Sequence, residues 1–260
     1  MKIRSFVIAA NIGFMPLLVV SLPVEAAEIK IMSAAGFRPV MEDLGPKFER
    51  ATGHKLAITG GNLGAIVKRV QGGETADVII IPRQGIDGLV KDGKAVAGNV
   101  TVIARSSIGV AVRKGAPKPD ILSPDALKRT LLAAKSITYV DPAGGGVAGI
   151  HFAKVLDRLG IANEMKSKTV FPDIPKTTVG TLVANGEAEI GVHQIQQLIS
   201  EPGIEIVGPL PGDLERTEVF AAAIMDSASD AAASKALVNF LRTPEAAAVI
   251  KAKGMEPATR

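Results

Sequence analysis

The chain contains no cysteine and no tryptophan, and it has one tyrosine, Tyr139, and three histidines among 260 residues. Without cysteine there are no disulfides, no thiol nucleophile and no thiolate metal site. With a single Tyr and no Trp, an aromatic platform for stacking sugars is not expected. His54, His151 and His193 are widely spread and form no His-x-x-x-His or His-Glu pair, so neither a metal site nor another cofactor is expected. Charge is also sparse: 30 basic residues face 26 acidic ones, for a net +4. No Lys/Arg cluster is interleaved with aromatics, which argues against nucleic acid as a partner.

What is present begins with an export signal. Met1-Lys2-Ile3-Arg4 is positive, Phe6 to Leu22 is apolar and uncharged, and Val24-Glu25-Ala26 is a small-x-small cleavage pattern. This predicts a signal peptide over 1–26, removed after Ala26, and a periplasmic protein. The alternative, an uncleaved anchor, is weakened by a run at the short end of spanning length that contains Gly13 and Pro16. The remainder is long enough for one large domain or two lobes.

Strand and helix patterns then alternate. Strands are predicted at 28–32, 55–59, 76–81, 100–104, 108–113, 136–140, 189–192 and 204–207. Helices are predicted at 40–52, 63–71, 85–92, 123–133, 149–159 and 178–185. The alternation argues an α/β fold with mainly parallel sheets, whose ligands sit beyond the carboxyl ends of the strands. Three small-residue turns fall at such ends: Ser33-Ala34-Ala35-Gly36-Phe37-Arg38-Pro39, Gly60-Gly61-Asn62-Leu63-Gly64 and Asp141-Pro142-Ala143-Gly144-Gly145-Gly146. Each leads into a helix whose first N–H groups lack partners, a ready anion site. Two further helices, 229–240 and 244–253, follow with no strand between them. Thr243 and Pro244 open the second and Gly254 stops it, and both should pack back on the first lobe, with Pro257 ending ordered structure.

The order of these motifs resembles the periplasmic molybdate-binding proteins of ABC importers. The resemblance runs through strand-Ser33-Ala34-Ala35, Glu49-Arg50-Ala51-Thr52-Gly53, Gly72-Gly73-Glu74-Thr75-Ala76-Asp77-Val78, Asp141-Pro142, Asn185 to Val192, Val207 to Pro211 and Thr243 to Ala246. It covers nearly the whole chain after the leader. It implies a two-lobed solute-binding fold with two crossing strands, near Ser106 to Val112 and Thr217 to Ile224, and a ligand cleft at the hinge. Lobe one would be 27–107 plus 222–260, and lobe two 108–221. The ligand set it implies is Ser33, Ala34, Gly61, Asn62, Leu63, Arg83, Gly145, Gly146, Val147, His151, His193 and Gln194.

Departures from that family point away from molybdate. The second turn offers Asn62 where a serine is usual, the usual Tyr position is Gln194 after His193, and the usually acidic or polar position 83 is Arg83. A guanidinium, imidazoles and amides suit a carboxylate. Each residue also has a plainer reading. Arg83 could be a loop residue in solvent, His151 a core imidazole and Asn62 a helix cap. Asp141-Pro142 reads as a turn, Lys68 and Arg69 as a solvated helix face, and His54 as a surface turn residue. Two functions are compatible with the chain. The first is a binding protein that hands a small anion, a di- or tricarboxylate, to ABC-transporter membrane subunits. The alternative is a cofactor-independent isomerase resembling aconitate isomerase, with His193 or His151 as the base and Arg83 among the cations.

Overall fold

The structure, a computed structural model, describes residues 26–144, 146–174 and 176–258. The expected leader up to Glu25, and Gly145, lie outside the described residues. In chain order the elements are β1 (Glu28–Ala34), α1 (Arg38–Thr52), β2 (Lys55–Gly61), α2 (Leu63–Gln71), β3 (Val78–Pro82), α3 (Arg83–Lys91), β4 (Val100–Arg113), α4 (Pro124–Ala133), β5 (Ile137–Tyr139) and α5 (Val147–Arg158). They continue with α6 (Ala162–Lys166), α7 (Val179–Asn185), β6 (Ile190–Gln194), α8 (Ile195–Leu198), β7 (Ile204–Pro209), β8 (Thr217–Ile224), α9 (Ala231–Phe240), α10 (Pro244–Ala252) and β9 (Glu256–Pro257).

β1 lies between β2 and β3 and runs parallel to both. All five residues of β3 are buried, as expected for a strand covered on both faces. The long strand β4 joins two sheets. Its first half pairs with β8 and its second half with β6 and β7. The sequence predicted two strands here, broken at Arg105 to Ser107. The break is absent because the ladder to β8 continues through Ser106↔Glu218 and Ser107↔Thr217, so the polar pair stays in extended backbone. The expectation of mainly parallel sheets is also corrected. β4 and β8 run antiparallel to every neighbour, each other included; among the described residues the parallel strand pairs are β1–β2, β1–β3 and β5–β6.

One hydrophobic cluster draws on residues between Ile29 and Ala104 and again between Phe220 and Met255. A second draws on residues between Ile108 and Leu214. α9 and α10 contribute Leu237 and Ile250 to the first cluster, with Leu241 just after α9, packed as expected. Pro257 does not end ordered structure: β9 pairs Pro257 with Ala104, and the Ala258 N–H donates to the Ile103 carbonyl at 2.9 Å. His54 is not a surface residue either. It is buried, its Nδ1 accepts the Ala27 N–H at 3.2 Å, and its ring stacks on Phe48. A turn position beside Lys55 carries no sign of the aromatic neighbour that α1 supplies.

Asp77 ties this cluster together at the foot of β3. Its carboxylate accepts from the Lys30 N–H at 2.6 Å and from both the N–H and hydroxyl of Ser229, at 2.6 and 2.9 Å. Burial pushes its pKa up, but these donors and the Lys30 charge outweigh burial and leave it below the ordinary range. A carboxyl with a depressed pKa stabilises the fold above its unfolded-state value, and that contribution is lost as pH falls through the folded value. Asp77→Ala should cost about 2–3 kcal/mol, because it leaves three donors unsatisfied, and should weaken the acid dependence of unfolding. Urea melts at pH 7 and pH 2.5 measure both effects.

Candidate functional site

The helices differ in how they begin. α2, α4, α9 and α10 are closed by side-chain caps from Asn62, Ser123, Asp230 and Thr243. α1, α3 and α5 have no side-chain cap, and each follows the carboxyl end of β1, β3 or β5. Their first-turn N–H groups carry the positive end of the helix dipole without a side-chain acceptor. Three uncapped starts, those of α1, α3 and α5, thus lie at strand ends, where an α/β fold places its ligand; α2, which follows β2, is capped, and α6, which follows no strand, is uncapped.

The crossing strands form the floor. In the β4–β8 ladder Ser106 opposes Glu218, and in the β4–β6 ladder Ile108 opposes Gln194. Because alternate residues share a face, Ser106, Ile108, Glu218, Phe220 and Gln194 lie on one side of the hinge. The Gln194 amide donates to Glu218 Oε2, and the Ser106 hydroxyl donates to Gln196 Oε1. Gly36 closes over this group: a Cβ there would stand 3.2 Å from Gln196 Nε2, 3.2 Å from Phe220 Cζ and 3.5 Å from Gln197 Nε2. The turn after β1 therefore meets α8 and β8 at the hinge, and any side chain at Gly36 would press on these three side-chain ends. Two buried polar atoms here have no partner, Gln196 Nε2 and Glu218 Oε1. Burial pushes the Glu218 carboxyl above its ordinary range, while the Arg216 charge and the Gln194 bond pull it partly back.

The sequence candidates are distributed around this floor. Gly61 ends β2 beside Ala34, which ends β1. Asn62 caps α2 by accepting the Ala65 N–H at 2.8 Å. Leu63 opens α2 with its side chain against Gly85, so only its backbone is directed to the turn. Ser33 is buried and lines a crevice of about 250 Å³ with Arg38, Met41, Glu42, Ile58 and Gly60. Arg83 opens α3 and pairs through Nε with Asp87 at 2.7 Å in an exposed position. Gly146 and Val147 open α5. His151 Nε2 lies 2.8 Å from the Leu214 carbonyl; an oxygen acceptor there fixes the proton on Nε2 and ties α5 to the turn before β8. Arg69 on α2 pairs with Glu74 in solvent, and Asp141 accepts the Ala143 N–H in a local turn, both as expected.

Similarity to known proteins agrees with this geometry. A family profile described as bacterial extracellular solute-binding protein matches residues 29–256. The chain belongs to that family. An aconitate isomerase from Pseudomonas sp is 33% identical over 251 residues, covering 93% of this chain and 94% of the relative. The molybdate-binding protein ModA of Azotobacter vinelandii is 31% identical over 237 residues, covering 88% and 90%. Among solved structures, the Azotobacter vinelandii periplasmic molybdate-binding protein superposes with a TM-score of 0.64 at 22% identity, covering 89% of this chain and all of that one. The two-lobed solute-binding fold with crossing strands β4 and β8 is therefore that of the family.

Four hinge residues escaped the sequence reading: Gln196, Gln197, Arg216 and Glu218. The available signal was Glu218, an acid at the start of the apolar run Val219 to Ile224, where a charge needs a partner. Gln196 and Gln197 are two amides between predicted strands, and nothing local indicates that the turn at Gly36 packs on them. His193, by contrast, is adjacent to Gln194 and so points to the other face of β6. Its Nδ1 accepts the Gln194 N–H at 2.7 Å, and burial lowers its pKa to about 4. A ring neutral in the fold but free to protonate when unfolded costs nothing above about pH 6.5 and favours unfolding as pH falls from there to about 4. His193→Gln should flatten stability across that window, which chemical melts at pH 7.5 and pH 5 will detect.

Proposed function

We propose that the protein is an exported, periplasmic member of the family whose lobes, 27–107 plus 222–260 and 108–221, close on a small polycarboxylate at the hinge. The proposal extends to isomerisation of that ligand between cis- and trans-aconitate. The carrying observation is the composition of the hinge floor: amide side chains, one hydroxyl and a buried acid beside Arg216, beneath the turn at Gly36 that leads from β1 to α1. Open N–H groups and Arg216 can donate to carboxylate oxygens. A buried acid opposes a fully ionised tetrahedral oxyanion but can share a proton with a carboxylic ligand. The 33% identity to an aconitate isomerase supports the same ligand class. Moving a double bond by one carbon transfers only a proton, so the chemistry needs no cofactor.

In this reading the backbone at Ala34, Gly61, Leu63, Gly146 and Val147, with Arg83 and Gln194, surrounds the ligand. A second reading, delivery of the carboxylate to ABC-transporter membrane subunits, draws on the ModA relatives. Incubating the purified protein with cis-aconitate and separating products by chromatography tests the first reading. Formation of trans-aconitate in proportion to protein is the expected result. Binding without conversion, even at high protein concentration, would leave the delivery reading standing alone.

A further inference from the structure

We propose that Glu218, on the crossing strand β8, carries the proton in this isomerisation; the inference rests on the isomerase reading above. Glu218 is 8% exposed, and its neighbour Gln196 is 2% exposed. One carboxyl oxygen, Oε2, is held by the Gln194 amide, which fixes the plane of the group. The other, Oε1, is buried with no hydrogen-bond partner, as is Gln196 Nε2. Two orphaned polar atoms, one from β8 and one from α8, beside the turn at Gly36, are the mark of a site completed by a ligand, because leaving them unpaired is costly.

The histidines are less well placed. His151 has its Nε2 proton committed to the Leu214 carbonyl, and His193 turns to the opposite face of β6 from Gln194. Among the described residues Glu218 combines a fixed orientation with a free oxygen on the hinge face. Burial favours its protonated form, which brings its proton affinity closer to that needed by a group that must both take and return a proton.

The step balances without an external reagent. Ionised Glu218 takes a proton through Oε1 from the methylene carbon of cis-aconitate. The electron pair of that C–H bond spreads over the allylic carbons and the attached carboxylate, where Gln196 Nε2 and Arg216 are available to oppose the charge. The C=C bond then re-forms one carbon along, and Glu218 returns the proton to the former vinyl carbon. One C–H bond breaks, one forms, and nothing is oxidised or reduced.

The test compares wild type, Glu218→Gln and Glu218→Asp in three measurements: conversion of cis-aconitate, wash-in of deuterium from D2O into aconitate by NMR, and calorimetric binding of trans-aconitate. Glu218→Gln keeps an acceptor for Gln194. It should lose about 100-fold or more in both conversion and wash-in, the scale of a lost general acid–base group, while binding stays within about tenfold. Glu218→Asp, still an acid but one carbon shorter, should retain partial turnover. If wild type converts and Glu218→Gln converts within about tenfold of it, the assignment of Glu218 is overturned and the isomerase reading survives. If wild type neither converts cis-aconitate nor washes in deuterium, both fall together. Should Glu218→Gln fail to fold, unchanged conversion and wash-in by Glu218→Asp would overturn the assignment.

Discussion

Gly149→Ala should destabilise the protein by about 3 kcal/mol or more, at the upper end of the cost of overpacking. A Cβ at Gly149 would stand 2.0 Å from the Val140 carbonyl oxygen and 2.9 Å from its carbon. These are backbone atoms at the end of β5, so no side-chain rotation relieves the clash and α5 itself must shift. Each kcal/mol corresponds to about 2–4 °C in Tm for a chain of this size, so a fall of about 6–12 °C is expected. The same shift would carry the open N–H groups of Val147 away from the hinge and weaken ligand binding. Gly88→Ala in α3 is the control. A Cβ there meets nothing within 4 Å, and it should be neutral or stabilise by up to about 1 kcal/mol through helix propensity. A Tm for Gly149→Ala within 2 °C of wild type, on the scale of about 1 kcal/mol or less, would contradict the close approach of α5 to β5.

Phe220→Ala is the second large effect, with an expected cost of about 3–5 kcal/mol. Phe220 is fully buried on β8, its ring centroid is 5.8 Å from that of Phe37, and its Cζ abuts the turn at Gly36. Removing the ring opens a cavity between the crossing strand and the turn that closes the hinge floor, so ligand affinity should fall along with stability. Phe171, 44% exposed, provides the comparison, and Phe171→Ala should cost about 1 kcal/mol or less. Equal losses at the two positions in thermal melts would contradict the packing described at the hinge.

The contrast between these positions and the sequence reading shows where local pattern suffices. The parallel strands β1, β2 and β3 and the helices after them were legible because each is an apolar run or an amphipathic face bounded by its own turn chemistry. Leu63 to Gln71 has its observed bounds in the sequence pattern for that reason, whereas Thr217 to Ile224 follows from the family resemblance. The continuity of β4 through Ser106 and Ser107 was not legible, since it depends on a partner strand more than 100 residues away. His54 was missed because its burial comes from Phe48 and Ala27 across the first lobe. The hinge was half legible. The turns announce themselves by glycine and by position after strands, while Gln196, Arg216 and Glu218 acquire meaning only when β8 and α8 meet over β4.

The central claim, that this hinge takes carboxylates in place of a tetrahedral oxyanion, is tested most directly by calorimetry. A single preparation of residues 27–260 would be titrated with trans-aconitate and, separately, with molybdate. Micromolar or tighter binding of trans-aconitate, on the order of −8 kcal/mol, with no heat from molybdate, is the predicted result. Tight molybdate binding with no response to trans-aconitate or to any other di- or tricarboxylate would contradict it.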